Sequence, residues 1–426
     1  MKSTRWAMVM LAFVGIIICY MDRAALAYAI KPLEQVFHLN NKDFGLLSSF
    51  FAVGYLIMVF LGGILVDYSG ARMIWTISAF IWSIATILIG FSSGLTMLII
   101  LRLVLGLAEG PSFPALTRAT TDWLPLKERN RALALGLAAV PFASVVGAPL
   151  TTHLLANYGW QFMFIFLGSV GVVWSLLWLL LFRNQPQQSK LISKKELTYL
   201  EEELAQDKHI THSHSFKSNW KFILTNKTFL INNYAFFSFG YLLFFGITWL
   251  PGYLEQSFHL HIKKVGLFLT LPWLLATLAM LFNGWFSDWL WSKTKSLRIS
   301  RSLLIAGGLI LSSLCFIPAI MATTIHSALV FMSLALALGL MPNSSFYALN
   351  ADLAPDMAGT SLGVMDTFLA FAGIIAPLLT GYLSNLTGNF KVAIGIMFAL
   401  NISAGLLVLF FQNPDKDLAN KKLQLL

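Results

Sequence analysis

Charge is what this sequence has least of. Asp, Glu, Lys and Arg make up 11% of its 426 residues, less than half of the roughly 25% found in soluble domains. A surface turned to water cannot be covered at that density, which excludes a soluble enzyme or binding domain as the main body and points to an integral membrane protein. Cysteine is nearly absent: Cys19 and Cys315 both fall inside apolar runs. This excludes a disulfide framework and a cysteine-based metal spacing, and reads as two packing residues. No nucleophile stands next to a base in the apolar runs and no metal triad occurs there, so neither an enzyme nor a metal or organic cofactor is expected. Acids are outnumbered, giving a net charge of +10. The basic stripe with interleaved exposed aromatics that nucleic acid would require is missing, and membrane orientation accounts for the excess.

What the chain has in abundance is apolar length: 57% of its residues are hydrophobic. Taking about 20 apolar residues per crossing predicts about twelve helices, near 6–30, 43–67, 73–92, 95–121, 131–156, 161–182, 228–256, 264–290, 301–321, 325–352, 359–385 and 390–411. Residues 1–27 imitate a secretory signal, but Asp22 and Arg23 occupy what should be a neutral cleavage region, so the stretch is read as the first span. An even number of crossings puts both ends on one side. With the termini in the cytoplasm, Lys2, Arg5, Arg72, Lys127, Arg129, Arg131, Lys293, Lys295, Arg298 and Arg301 fall inside, against Lys31, Lys42, Lys263, Lys264 and Lys391 outside, as the positive-inside rule requires.

One long polar connection, 184–226, separates two halves, so the expected organisation is a six-helix bundle over 1–183, a cytoplasmic linker over 184–226, a second six-helix bundle over 227–412, and a short frayed tail over 413–426. In the linker, Ser193-Lys-Lys-Glu196 forms a capping box, followed by Leu197, Leu200 and Leu204 on one helical face. Its His209, His212 and His214 lack the carboxylate or cysteine company of a metal site. The halves repeat landmarks in register: Gly63-x-x-x-Asp67 with Gly284-x-x-x-Asp288, Asp122-x-x-Pro125 with Asp352-x-x-Pro355, and Gly136 and Pro149 with Gly363 and Pro377. Repeated bundles of this kind suit a transporter that moves one half against the other, and do not suit a passive anchor.

Charges inside the spans are therefore functional candidates. Arg102 and Glu109 are two helical turns apart on one face, about 10 Å along the axis. With Asp22 and Arg23 they sum to zero, and Tyr20 and Tyr55 add hydroxyls to the set. Protonating Asp22 or Glu109 would leave an arginine unbalanced, a planar fork ready for a carboxylate. Gly110, Pro111 and Pro114 interrupt the helical ladder just beyond. Gly63, Asp67, Gly70 and Arg72 mark a tight turn between helices 2 and 3 where Asp67 can pair with an arginine such as Arg129 as a cytoplasmic gate, with Asp288 its repeat. In the second half Trp249, Tyr253, Asn343, Asn350 and the mid-span acid Asp366 are candidates for a substrate-facing wall, whereas most other aromatics read as lipid-facing.

These motifs resemble the major facilitator superfamily, and within it the anion:cation symporter family of bacterial hexuronate, galactonate and glucarate transporters. Gly63 to Arg72 resembles the superfamily signature, with Tyr68 where a basic residue is usual. Tyr20-Met-Asp22-Arg23 resembles the family's helix 1 motif, Arg102 to Pro111 its helix 4 motif, and Trp249-Leu-Pro-x-Tyr253-Leu its helix 7 pattern. The resemblance implies an all-α membrane protein with the major facilitator fold, twelve transmembrane helices in two pseudo-symmetric six-helix bundles. It implies Asp22 and Glu109 as proton-coupling acids, Arg23 as the carboxylate ligand, Arg102 as the link between them, and Tyr55 as a hydroxyl contact. Asp366 stands where sugar-acid transporters of the family carry an asparagine, and an acid there would welcome an amine. The expected function is a monomeric, proton-coupled importer of a small organic carboxylate in the plasma (inner) membrane, working by alternating access. A proton-driven exporter, an importer of a zwitterion such as an amino acid, and a non-transporting sensor are the alternatives.

Overall fold

The computed structural model describes residues 4–211, 220–258, 260–354 and 358–424. Its first part comprises α1 (Thr4–Tyr28), α2 (Ile30–Phe37), α3 (Asn41–Ile89), α4 (Leu95–Glu109), α5 (Ser112–Trp123), α6 (Leu126–Leu181) and α7 (Lys194–Thr211). Then follow α8 (Trp220–Thr225), α9 (Lys227–Thr248), α10 (Leu250–Phe258), α11 (Ile262–Thr294), a π-helical turn (Arg298–Ser302), α12 (Leu303–Met321), α13 (Ile325–Leu340), α14 (Asn343–Leu353), α15 (Ala358–Thr387), α16 (Lys391–Phe411) and α17 (Pro414–Gln424). No strand occurs among the described residues. Helix is what lipid permits such runs, since every backbone N–H and C=O must be bonded within its own segment. Among the described residues, eleven helical stretches are long and apolar enough to cross a bilayer. The longest is broken at Gly159 (φ 85°, ψ 168°), which makes about twelve crossing rods.

α3 breaks in the same way at Gly70 (φ 79°, ψ 158°), the tight turn expected between the second and third spans. Only glycine occupies this part of φ/ψ space without strain. The space is also closed to a side chain, because a Cβ there would lie 2.2 Å from Asn184 Nδ2. Arg72 completes the corner: its backbone N–H donates to Asn184 Oδ1 at 2.9 Å and its guanidinium to Leu179 O at 2.8 Å. The arginine thus covers a carbonyl left open at the C-terminus of α6.

By packing, the chain forms two compact units, Met1–Leu39 with Phe50–Ser215, and Asn40–Ser49 with Phe216–Leu426. In the first unit α1 packs along α6. The second rod of α3 meets the end of α6 through edge-to-face indoles: Trp75 lies 5.1 Å from Trp174 and 4.7 Å from Trp178. Trp75, Trp82, Trp123 and Trp178 are all fully buried. This corrects the lipid-facing reading of the tryptophans, because rings that pack face and edge on one another are shielded from lipid as much as from water. Trp285 and Trp289 do stay exposed.

The linker helix α7 begins at Ser193, whose Oγ accepts the Glu196 N–H at 3.3 Å. The Glu196 carboxylate accepts the backbone N–H groups of Thr4 and Arg5 at 3.0 and 3.2 Å, capping α1, and pairs with the Arg5 guanidinium at 3.0 Å. Arg5 also binds Glu128, which accepts the Trp6 indole N–H. Burial pushes Glu128 upward, but its bonds to Arg5, Trp6 and Tyr199 outweigh that and hold the carboxyl below its ordinary range. His212 and His214 lie outside the described residues. The tail corrects the frayed reading: Asp415 at the start of α17 accepts from Ser296 Oγ and the Leu297 N–H at 2.5 and 2.8 Å. It thereby caps the helical turn that opens at Arg298, which anchors α17 at its first turn.

Candidate functional site

The site grows from a close helix contact. A Cβ on Gly106 of α4 would lie 2.0 Å from Phe51 O, and one on Gly54 of α3 would lie 2.4 Å from Leu103 O. Small residues at a membrane helix interface let the backbones touch. That contact brings Phe51, which is ring-stacked at 6.2 Å on Tyr55 one turn later, up to Arg102. Beyond Glu109 the backbone of Gly110 (φ −50°, ψ −43°) and Pro111 (φ −68°, ψ −7°) stays close to helical. The proline interrupts the hydrogen-bond ladder, which lacks its N–H, while the chain runs on into α5.

Arg23 is the centre of the set. Its Nε and Nη2 donate to a single oxygen, Oε2 of Glu109, at 3.0 and 2.9 Å. The two side chains are 4% and 0% exposed. The other carboxylate oxygen, Oε1, has no hydrogen-bond partner. The guanidinium carbon lies 4.2, 4.7 and 4.8 Å from the ring centroids of Tyr20, Phe51 and Tyr55, a desolvated cage in which each cation–π contact is worth up to about 2 kcal/mol. Arg102 shares Phe51 at 4.7 Å, but its Nε and Nη1 form no hydrogen bond. Asp22 is 2% exposed and neither carboxylate oxygen is bonded; the Thr86 hydroxyl is its polar neighbour. Two acids and two bases are therefore buried in one unit with one pair closed and two charges left open. Burial without a partner is costly for either sign, and is relieved by a proton or by a ligand.

Sequence reasoning overlooked four members of this site. Phe51 stands one turn before Tyr55, and Cys19 one turn before Arg23. Ser112, one turn after Glu109, lies 3.9 Å from the Cys19 thiol, which itself interacts with Glu109. For these three the helical spacing from a known site residue was the available signal. Thr86, on the second rod of α3, had none.

The second-half candidates are placed differently from one another. Trp249 is fully buried and donates its indole N–H to Pro377 O at 3.2 Å. Tyr253 is buried against Phe258 and Phe390. Asn350 is fully buried, accepting from Asn232 at 2.9 Å and donating to Ser361 O at 3.1 Å. Asn343 is buried at the start of α14. Asp366 accepts a hydrogen bond from the Tyr347 hydroxyl at 2.9 Å. At the turn motif, Asp67 is met by Arg118 of α5 at 3.4 Å, and Arg118 also pairs with Asp122 at 3.0 Å. Arg129 donates to the carbonyls of Leu124 and Thr121. In the second unit Arg301 joins Asp288 and Asp352 at 3.0 and 3.4 Å. The acids of the repeat match, but their basic partners come from different elements: Arg118 inside a span, and Arg301 from the π-helical turn. A Cβ on Gly63 would meet nothing within 4 Å.

The sequence profile of the Major Facilitator Superfamily matches residues 12–377. The chain is 30% identical over 397 residues to the probable sulfoacetate transporter SauU of Cupriavidus necator, covering 93% of this chain and 91% of that protein. It is 27% identical over 409 residues to the hexuronate transporter of Bacillus subtilis, covering 95% and 94%. Its fold superposes on the crystal structure of a bacterial homolog to the human lysosomal transporter Spinster with a TM-score of 0.76, at 15% identity over 96% and 97% of the two chains. The apolar rods, the paired charges within them and the profile spanning most of the chain lead to one conclusion: the protein belongs to the Major Facilitator Superfamily and is a multi-pass membrane transporter.

Proposed function

We propose that the protein is a proton-coupled symporter that imports a small organic carboxylate across the plasma membrane, with both termini in the cytoplasm. The observation that carries this reading is the Arg23 guanidinium, sealed in an aromatic cage and held by one oxygen of Glu109. A proton on Glu109 removes the negative charge, and Arg23, which never loses its own, is left with an open planar fork. A substrate carboxylate restores neutrality, so proton and anion load together. Neither is stable there alone, because the low dielectric penalises whichever charge is left uncompensated. Asp22, with both oxygens unbonded, is the second proton carrier, and Arg102 presents its unfilled donors as the link to the anion. Tyr20 and Tyr55 wall the fork. The Asp67–Arg118 and Asp288–Arg301 pairs serve as gates that break and reform as the site is exposed to each side of the membrane in turn. Two relatives named for sulfoacetate and hexuronate, both organic anions, support the substrate class.

Uptake into proteoliposomes under an imposed pH gradient tests the proposal. Accumulation of a carboxylate that collapses with a protonophore is the expected result. Accumulation indifferent to the protonophore would remove the coupling, and net efflux of the anion driven by inward proton flow would reverse the direction.

A further inference from the structure

The end of α6 gathers positive charge that no carboxylate answers. Its apolar span closes at Leu181, and Arg183 follows two residues later. Arg183 Nη1 donates to the carbonyls of Leu179, Leu180 and Phe182 at 3.1, 2.9 and 2.8 Å, and Arg72 donates to the same Leu179 O at 2.8 Å. Two guanidinium groups therefore share one carbonyl oxygen. A helix C-terminus carries only about half a negative elementary charge, so most of their positive charge stands uncompensated. Nε and Nη2 of Arg183 have no partner among the described residues. The carboxylates of this corner are bonded elsewhere, Glu196 to Arg5 and the start of α1, and Glu201 to the Gln187 amide at 3.3 Å.

The chain then turns back beside this charge. A single 3₁₀ turn, Pro186–Gln188, is closed by the Ser189 N–H donating to Pro186 O at 3.0 Å. Ser189 Oγ accepts the Leu191 N–H at 3.3 Å, and Leu191 O accepts from the Thr4 hydroxyl of α1 at 3.1 Å. So fixed, Ser189, Lys190 and Leu191 close a hollow of about 150 Å³ against Leu180, Leu181 and Arg183. All three leucines are exposed. Leu180 continues an exposed apolar stripe of Val173, Leu176 and Leu177, which share one face of α6 at helical spacing. In a membrane such a stripe is covered by acyl chains. A soluble anion in the hollow would leave the leucines bare, and a purely apolar molecule would leave the guanidinium unpaired. A zwitterionic headgroup would bring a further cation to a corner that already holds Arg72, Arg183 and Lys190. We propose that this hollow binds an anionic phospholipid, its phosphate on the Arg183 fork and the Lys190 ammonium and its acyl chain along Leu180, Leu177 and Val173.

Native mass spectrometry of the purified full-length chain, in detergent with equimolar phosphatidylglycerol and phosphatidylcholine, tests it. The expected result is that the tightest-bound lipid is phosphatidylglycerol. Lys190→Gln should weaken its retention about fivefold, and Arg183→Gln with Lys190→Gln about twentyfold, at roughly fivefold per cation. Lys293→Gln with Lys295→Gln takes the same charge from exposed lysines at the end of α11 and should leave retention unchanged. Equal retention of the two lipids overturns the inference. Equal loss in both double variants overturns it too, because net charge and not this hollow would then hold the lipid. Displacement of the lipid by an equal concentration of inorganic phosphate would identify a soluble-anion site and overturn the lipid reading. Lys190 is exposed, so its substitution leaves the packing of the corner intact, and wild-type retention in Lys190→Gln is by itself enough to refute the site.

Discussion

Glu109→Gln isolates the charge on which the proposed coupling depends. The substitution keeps side-chain length and a carbonyl oxygen within reach of the Arg23 Nε and Nη2, which now sit 3.0 and 2.9 Å from Oε2. Only the negative charge goes. With both partners at 4% exposure or less, solvent cannot compensate, and removing one member of a buried pair costs about 3–5 kcal/mol. A neutral hydrogen bond to the amide returns roughly 1 kcal/mol, which leaves the ligand-free variant about 2–4 kcal/mol less stable than the wild type. For a chain of this size each kcal/mol moves Tm by about 2 °C, so a fall of roughly 4–8 °C is expected in detergent. A bound carboxylate supplies the missing charge, and should therefore raise the Tm of the variant more than that of the wild type. Wild-type affinity should weaken by up to about tenfold per pH unit as the loading proton becomes scarce, whereas the affinity of the variant should be flat with pH. In proteoliposomes the variant should exchange labelled for unlabelled substrate but fail to accumulate it against a gradient. Affinity that follows the wild-type pH profile, or intact accumulation, would refute the reasoning.

Three further outcomes follow from local geometry. Gly70→Ala should lower stability by about 1–3 kcal/mol, read as a reduced Tm, because its backbone conformation is open to glycine alone; trimming Asn184 to Ala in the same chain should not restore it, since the strain lies in φ as well as in the contact. Glu128 is held below its ordinary range by Arg5, Trp6 and Tyr199. Its unfolded form protonates at about the ordinary glutamate value of 4.5, so its contribution is complete above that pH and is lost as pH falls through the lower folded value. The Tm gap between wild type and Glu128→Gln should accordingly be constant above about pH 5 and close only in stronger acid. Asp415→Ala removes the cap on the turn that opens at Arg298; a loss of about 1 kcal/mol and faster proteolysis after Gln412 are expected.

The spans were legible because bilayer thickness converts directly into apolar length, and the break at Gly70 because a glycine stood between two such lengths with too few residues for a loop. The charged set was legible for a related reason: Asp22, Arg23, Arg102 and Glu109 have no other business in hydrocarbon. Pairing was not. Nothing in the spacing tells that Arg23 takes Glu109 through one oxygen while Arg102, two turns from Glu109 on its own helix, leaves two nitrogens unbonded. That outcome depends on the glycine contact between α3 and α4 and on where it sets Phe51. The tryptophans were misread because hydropathy does not distinguish a ring packed on lipid from a ring packed on another ring. Long-range capping was not legible either: Glu196 caps α1, and Asp415 found the turn at Arg298, contacts more than 100 residues apart in the chain.

Two buried polar clusters, one in each unit, are put to opposite uses. In the second unit Asn232 and Asn350 bond to each other, and each employs its remaining end on a further partner, Gln412 or the Ser361 carbonyl. Such a network has one good arrangement, and it fixes the packing of α9, α14 and α15. In the first unit the corresponding groups are left unfinished: two oxygens of Asp22, one of Glu109 and two nitrogens of Arg102 are buried without a hydrogen bond. In the proposed mechanism the unfinished charged set has two arrangements of similar free energy, and adding one proton decides between them. Rigidity is useful in a body that must move as a whole, and near-degeneracy is useful where a chemical event must trigger that movement. The proposed coupling needs both, because a proton can shift only an equilibrium that is already close to balance, and the shift is transmitted only by parts that do not yield.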